Sequence, residues 1–159
     1  MSRVFDKLIS VLLWEKQHPH NPSLSMRLSA KDIDELLSEN LVVVSQKEPF
    51  LYMLIPESRY GHYSGGICVF ENVPSGTFDR IAVGSFDDQL PLDFKFSKST
   101  EDTVLSISAD GKNIYFTALS LKALSVFQNE KQAIRLYSCS LAPSSNGLKL
   151  EINKDQEPS

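Results

Sequence analysis

The sequence predicts an α+β fold, an N-terminal helical segment (two helices) followed by a mostly antiparallel β-sheet with one late helix. Three observations predict it. Up to residue 40 apolar side chains recur at helical spacing, and from Leu41 they alternate almost to the end. Asp110-Gly111 stands between two β-rich runs, as in a tight hairpin. The length, 159 residues, suits one domain. It reads as residues 1–154, with 1–40 helical, 41–154 the β-rich body, and the polar residues 155–159 a disordered tail.

Residues 3–17 read as an amphipathic helix. Phe5, Leu8, Ile9, Leu12 and Leu13 share one face, and Ser2 stands at the N-cap position. Val4, Val11 and Trp14 widen the apolar stripe beyond that seam. The segment His18-Pro19-His20-Asn21-Pro22 ends the helix, because a proline disfavours helical geometry in the residue before it. A second helix is predicted over 30–39. Ser29 is its cap, Asp32 the partner in a carboxylate variant of the capping box, and Asn40 a left-handed terminator. Ile33, Leu36 and Leu37 form its buried stripe.

The strand pattern starts at Leu41. Leu41–Ser45 and Phe50–Ile55 read as a hairpin around residues 46–49. Tyr60–Gly66 is a glycine-containing loop. Ile67–Phe70 and Arg80–Gly84 are strands, with Pro74-Ser75-Gly76 as a turn. Leu92, Phe94 and Phe96 alternate with polar residues, as in a half-buried strand. Thr103–Ser108 and Asn113–Thr117 flank Asp110-Gly111. A late helix is expected over 120–130, capped by Ser120. Ala133–Leu141 and Leu148–Ile152 close the sheet, the last as a candidate edge.

Composition excludes some functions. Residues 1–60 carry 7 basic and 8 acidic side chains, and residues 61–159 carry 9 and 12, for a net charge of −4. Phosphate backbones reward clustered Lys and Arg, and neither half has a cluster, so nucleic acid is an unfavoured partner. Cys68 and Cys139, the only cysteines, do not make a disulfide framework. The first helix has charges where a signal peptide would be apolar, and nothing approaches the ~18 apolar residues of a membrane span. The expectation is a soluble cytoplasmic chain with no membrane contact.

Five patterns bear on chemistry. Residues 29–55, a helix followed by a hairpin, resemble the end of a winged-helix domain. That resemblance implies action on DNA or on protein through the N-terminal part. Its helix carries Asp32, Asp34, Glu35 and Glu39 against Lys31, which would repel a phosphate groove. Residues 106–117 (SISADGKNIYFT) resemble one hairpin of the TolB-like β-propeller repeats. The pattern occurs once, and a propeller needs at least four blades. His62, Ser64 and Cys68 lie close in sequence beside Gly65-Gly66. A thiol beside an imidazole is the pattern of a cysteine nucleophile, and Cys68 and His62 are the catalytic candidates of an enzyme reading. His18 and His20 lack the further ligands zinc needs, so no metal or cofactor is expected. Asp79, Asp87, Asp88 and Asp93 match no calcium loop.

The favoured function is a protein-binding module without catalysis: an inhibitor, an immunity-type protein, a chaperone or a complex subunit. Val11, Trp14, Asp87 and Asp88 are its candidate contacts, a mixed apolar and acidic patch suited to a basic protein partner. The alternatives are a small enzyme using Cys68, His62 or the carboxylates, and a winged-helix-like protein.

Overall fold

A computed structural model describes residues 2–18, 26–55, 65–86, 94–95, 103–144 and 147–153. Helix α1 spans Arg3–Gln17. Its Ser2 cap accepts from the Phe5 N–H at 3.1 Å and donates to Glu35 Oε2 at 2.5 Å, so one hydroxyl starts the helix and ties it to the next. Phe5, Leu8, Ile9 and Leu12 are buried, as their spacing predicts. Strand β1, Arg27–Ser29, separates α1 from α2, Ala30–Ser38. The capping box of α2 is complete: Ser29 accepts from the Asp32 N–H and Asp32 accepts from the Ser29 N–H. Asn40 takes a left-handed φ of 54°. Leu41 then donates its N–H to the Leu36 carbonyl. That bond holds Leu41 to the helix end, so β2 begins at Val43 rather than at Leu41.

Among the described residues the strands form two five-stranded sheets, every described pairing antiparallel. The first has the order β1-β5-β4-β3-β2, with β2 at Val43–Lys47, β3 at Phe50–Ile55, β4 at Gly66–Asn72 and β5 at Thr77–Ser85. The hairpin that resembled a wing belongs to this sheet, with β3 paired on both sides. The second has the order β10-β9-β8-β6, with β7 also on β8. Its strands are β6 at Phe94–Lys95, β7 at Leu105–Ile107, β8 at Asn113–Ser120, β9 at Ile134–Ser144 and β10 at Gly147–Asn153. β2 lies beside β7, and β5 beside β10, so the sheets approach each other along both margins.

The single sheet expected from the sequence is thus a pair, and the reason lies in β3 and β4. Their runs Leu51–Ile55 and Ile67–Phe70 are buried without a break, so both faces of the first sheet need cover. Leu51, Met53, Ile55, Cys68 and Phe70 pack with the helices. Tyr52, Leu54, Ile67 and Val69 pack with Ile114, Phe116, Ala118, Tyr137 and Cys139 of the second sheet. The molecule is therefore three layers, helices over sheet over sheet.

Two local expectations differ in detail. The Asp110-Gly111 turn is a four-residue connection, closed by Ser108 N–H to Asn113 carbonyl, and of its residues Gly111 alone has positive φ (75°). Asp110 accepts from both the Ser108 hydroxyl and the Lys112 N–H, a side-chain turn that favours the longer loop. The late helix is two pieces, α3 at Leu121–Phe127 and α4 at Glu130–Ala133. Gln128 turns left-handed, and Asn129 caps a new turn through its side chain. The extended backbone of that cap cannot continue α3. Residues 56–64, 87–93, 96–102 and the tail 154–159 lie outside the described residues.

Candidate functional site

One flank of α1, partly buried against the core, forms one wall of a groove. Val4, Lys7 and Val11 succeed one another at helical spacing, and Arg3 and Leu8 complete that wall. Met26, Arg27 and Leu28, leading into and along β1, make the other wall, and Asp32 closes the end; the volume is about 220 Å³. The groove depends on β1, whose pairing Arg27↔Asp79, Leu28↔Phe78 and Ser29↔Thr77 with β5 holds that chain beside α1.

The charges around the groove are unequal in commitment. Arg27 is engaged by Asp79, Nε to Oδ1 at 2.6 Å and Nη2 to Oδ2 at 3.2 Å. Asp32 is held by the capping box at the positive end of α2. Arg3 and Lys7 are exposed and make no ion pair among the described residues. An apolar floor with two uncommitted cations on one rim suits an apolar segment that carries carboxylates.

Beneath α1 lies a buried ion pair that sequence reading missed. Arg80 of β5 grips Glu15 of α1 with both Nη groups, Nη1 to Oε1 at 2.6 Å and Nη2 on Oε2. The two side chains are 8% and 13% exposed. The Arg80 N–H also donates to the Met26 carbonyl at 3.0 Å. One residue therefore fixes both walls of the groove, α1 through its side chain and the approach to β1 through its backbone. A lone arginine inside the strand run of β5 was the available signal.

The candidate residues divide. Val11 lines the groove. Trp14, one turn on, is half-buried and stacks on His18 with ring centroids 4.2 Å apart, while His18 Nδ1 donates to the Trp14 carbonyl. Asp87, Asp88, His62, His20 and Asp93 lie outside the described residues. Asp79 is the partner of Arg27. Cys68 is fully buried at the centre of β4, facing the helices. Burial pushes its thiol up to about 12, against a smaller opposing pull from Arg80. At neutral pH it is a protonated, enclosed thiol, which is not the environment of a nucleophile. Cys139, on the inner face of the second sheet, is likewise raised to about 12 by burial. Among the described residues no three His, Cys, Asp or Glu side chains gather as metal ligands.

No family model matches the chain, and neither a curated protein nor a solved structure matches it.

Proposed function

We propose that this chain is a protein-binding module that receives, in the groove between α1 and β1, a partner segment with apolar anchors and flanking carboxylates. The observation that carries the reading is the pairing of an apolar floor, Val4, Leu8, Val11, Met26 and Leu28, with the uncommitted cations Arg3 and Lys7. Apolar contacts would supply affinity, and the cations would steer the encounter and set the orientation. The partner at this surface is acidic; Asp87 and Asp88, the contacts expected for a basic partner, lie outside the described residues. Neither cysteine is in a disulfide, which fits a reducing, cytoplasmic setting. Among the described residues no helix is long and apolar enough to cross a membrane.

The test is a parallel capture from native lysate with wild type, Val11→Asp and the pair Arg3→Glu/Lys7→Glu. Arg3 and Lys7 are exposed while Val11 is partly buried against the core, so circular dichroism of each variant separates loss of binding from loss of fold. A stoichiometric protein held by wild type and lost from both variants supports the reading. Equal retention by all three removes the groove from consideration.

A further inference from the structure

A further cavity lies between the two sheets, apart from the α1 groove. It begins with a bulge. Phe70 pairs with Arg80 while Val69 pairs with Ala82, so Ile81 is an extra residue without a cross-strand partner. The bulge sends Arg80 toward the helices and lets Ile81 turn into the space between the sheets. There Tyr52, Val69 and Ile81 face Leu141 of β9 across a cavity of about 380 Å³, with Ala142 also on its lining. That is within the range of small-molecule sites, roughly 300–1,000 Å³.

The mouth is built from the β7–β8 turn, Asp110-Gly111-Lys112. It is held in place at two points. The Tyr52 hydroxyl donates to the Gly111 carbonyl at 2.9 Å, and the Leu141 N–H donates to the Lys112 carbonyl at 2.8 Å. A Cβ at residue 111 would stand 3.0 Å from the Tyr52 oxygen. The opening is thus pre-formed. The volume equals about a dozen water molecules at roughly 30 Å³ each, but a water needs two or more polar partners. The walls are aliphatic and aromatic, and the Tyr52 hydroxyl already has its acceptor. At the rim, Asp110 is occupied by the Ser108 hydroxyl and the Lys112 N–H. Lys112 is exposed and makes no ion pair among the described residues.

We propose that this inter-sheet cavity binds a small amphiphile, a medium-length apolar chain ending in a carboxylate, with the chain against Val69, Ile81 and Leu141 and the carboxylate at Lys112. A single negative charge matches the rim better than a phosphate does, because Asp110 sits beside the lysine.

Decanoate below its micellar concentration is the probe, with decanol as the uncharged comparison, read by calorimetry and by amide shifts in NMR. Saturable one-site binding is expected, with shifts at Val69, Ile81 and the turn 110–112. Lys112→Gln weakens decanoate about two- to five-fold, the worth of one exposed charge pair, and leaves decanol unchanged. Ile81→Trp, at a side chain that faces the cavity, fills the space and abolishes binding of both. Should that variant fail to fold, contacts between decanoate methylenes and the methyl groups of Val69, Ile81 and Leu141 in the wild type decide the matter. Absence of saturable binding, shifts confined to the α1 flank, or a folded Ile81→Trp that binds both ligands normally would each overturn the proposal. Arg3→Glu/Lys7→Glu leaves decanoate binding unchanged, which keeps this site separate from the groove.

Discussion

Replacing Glu15 by glutamine tests how α1 is held to the sheet. The substitution keeps the size of the side chain and removes its charge. It leaves the Arg80 guanidinium, 8% exposed, without its carboxylate. Removing one partner of a buried pair costs about 3–5 kcal/mol, because the remaining ion has lost both water and counter-charge. Against a total stability of about 5–15 kcal/mol for a domain, that is a large fraction. At about 2–4 °C per kcal/mol for a chain of this size, the melting temperature falls by about 10 °C. Urea unfolding followed by circular dichroism measures the free energy directly. The companion variant Glu15→Leu/Arg80→Met removes both charges and keeps apolar volume. It should recover most of the loss, because apolar replacement of a whole buried ion pair is often close to neutral. If Glu15→Gln stays within about 0.5 kcal/mol of wild type, the pair is solvated and α1 is held by its apolar stripe and the Ser2–Glu35 bond. The claim that Arg80 sets the groove would then fail.

Three further outcomes follow from the same geometry. Both cysteines keep their protons in the fold up to about 12, against an ordinary 9.0. Between those values the unfolded chain loses protons that the folded chain keeps, so stability is intact below pH 9 and falls by a few kcal/mol as pH rises through the window. Tyr52, raised above 10.0 by burial and by Asp110, adds to the fall; urea midpoints at about pH 8 and about pH 10.5 show it. Gly111→Ala forces a side chain onto a φ of 75° and against Tyr52, and its cost is about 1–2 kcal/mol by thermal melting. Ser29→Ala breaks the capping box and costs about 0.5–2 kcal/mol, with faster amide exchange in the first turn of α2 than in α1.

The helices were legible because their signals are local. Ser2, Ser29 with Asp32, and Asn40 act within three or four residues of themselves, and the 3.6-residue period marks the buried face of α1 and, in α2, Ile33 and Leu36. Leu37, expected in the same stripe, lies off that face and is exposed. The number of sheets was not read, although unbroken apolar runs in β3 and β4 mark strands covered on both faces. β1 is three residues long, too short to show a period, and exists through its pairing with β5. The groove inherits that difficulty. Val11 was visible as an apolar residue outside the main seam, but its opposite wall comes from residues 26–28, placed there by a long-range contact. Arg80 and Glu15 are 65 positions apart, and neither alone implies the other. The inter-sheet cavity rests on a bulge at Ile81, which no pattern in the strand announces.

Zero-length carbodiimide cross-linking tests the central claim most directly, because it joins an amine to a carboxylate only where the two touch. Applied to wild type with its captured partner, it is predicted to couple Lys7 to an Asp or Glu in a partner segment with apolar neighbours. Loss of the complex in Arg3→Glu/Lys7→Glu should accompany that product. A complex whose cross-links avoid Lys7, and which the charge-reversed variant retains, would contradict the assignment of the α1–β1 groove as the binding surface.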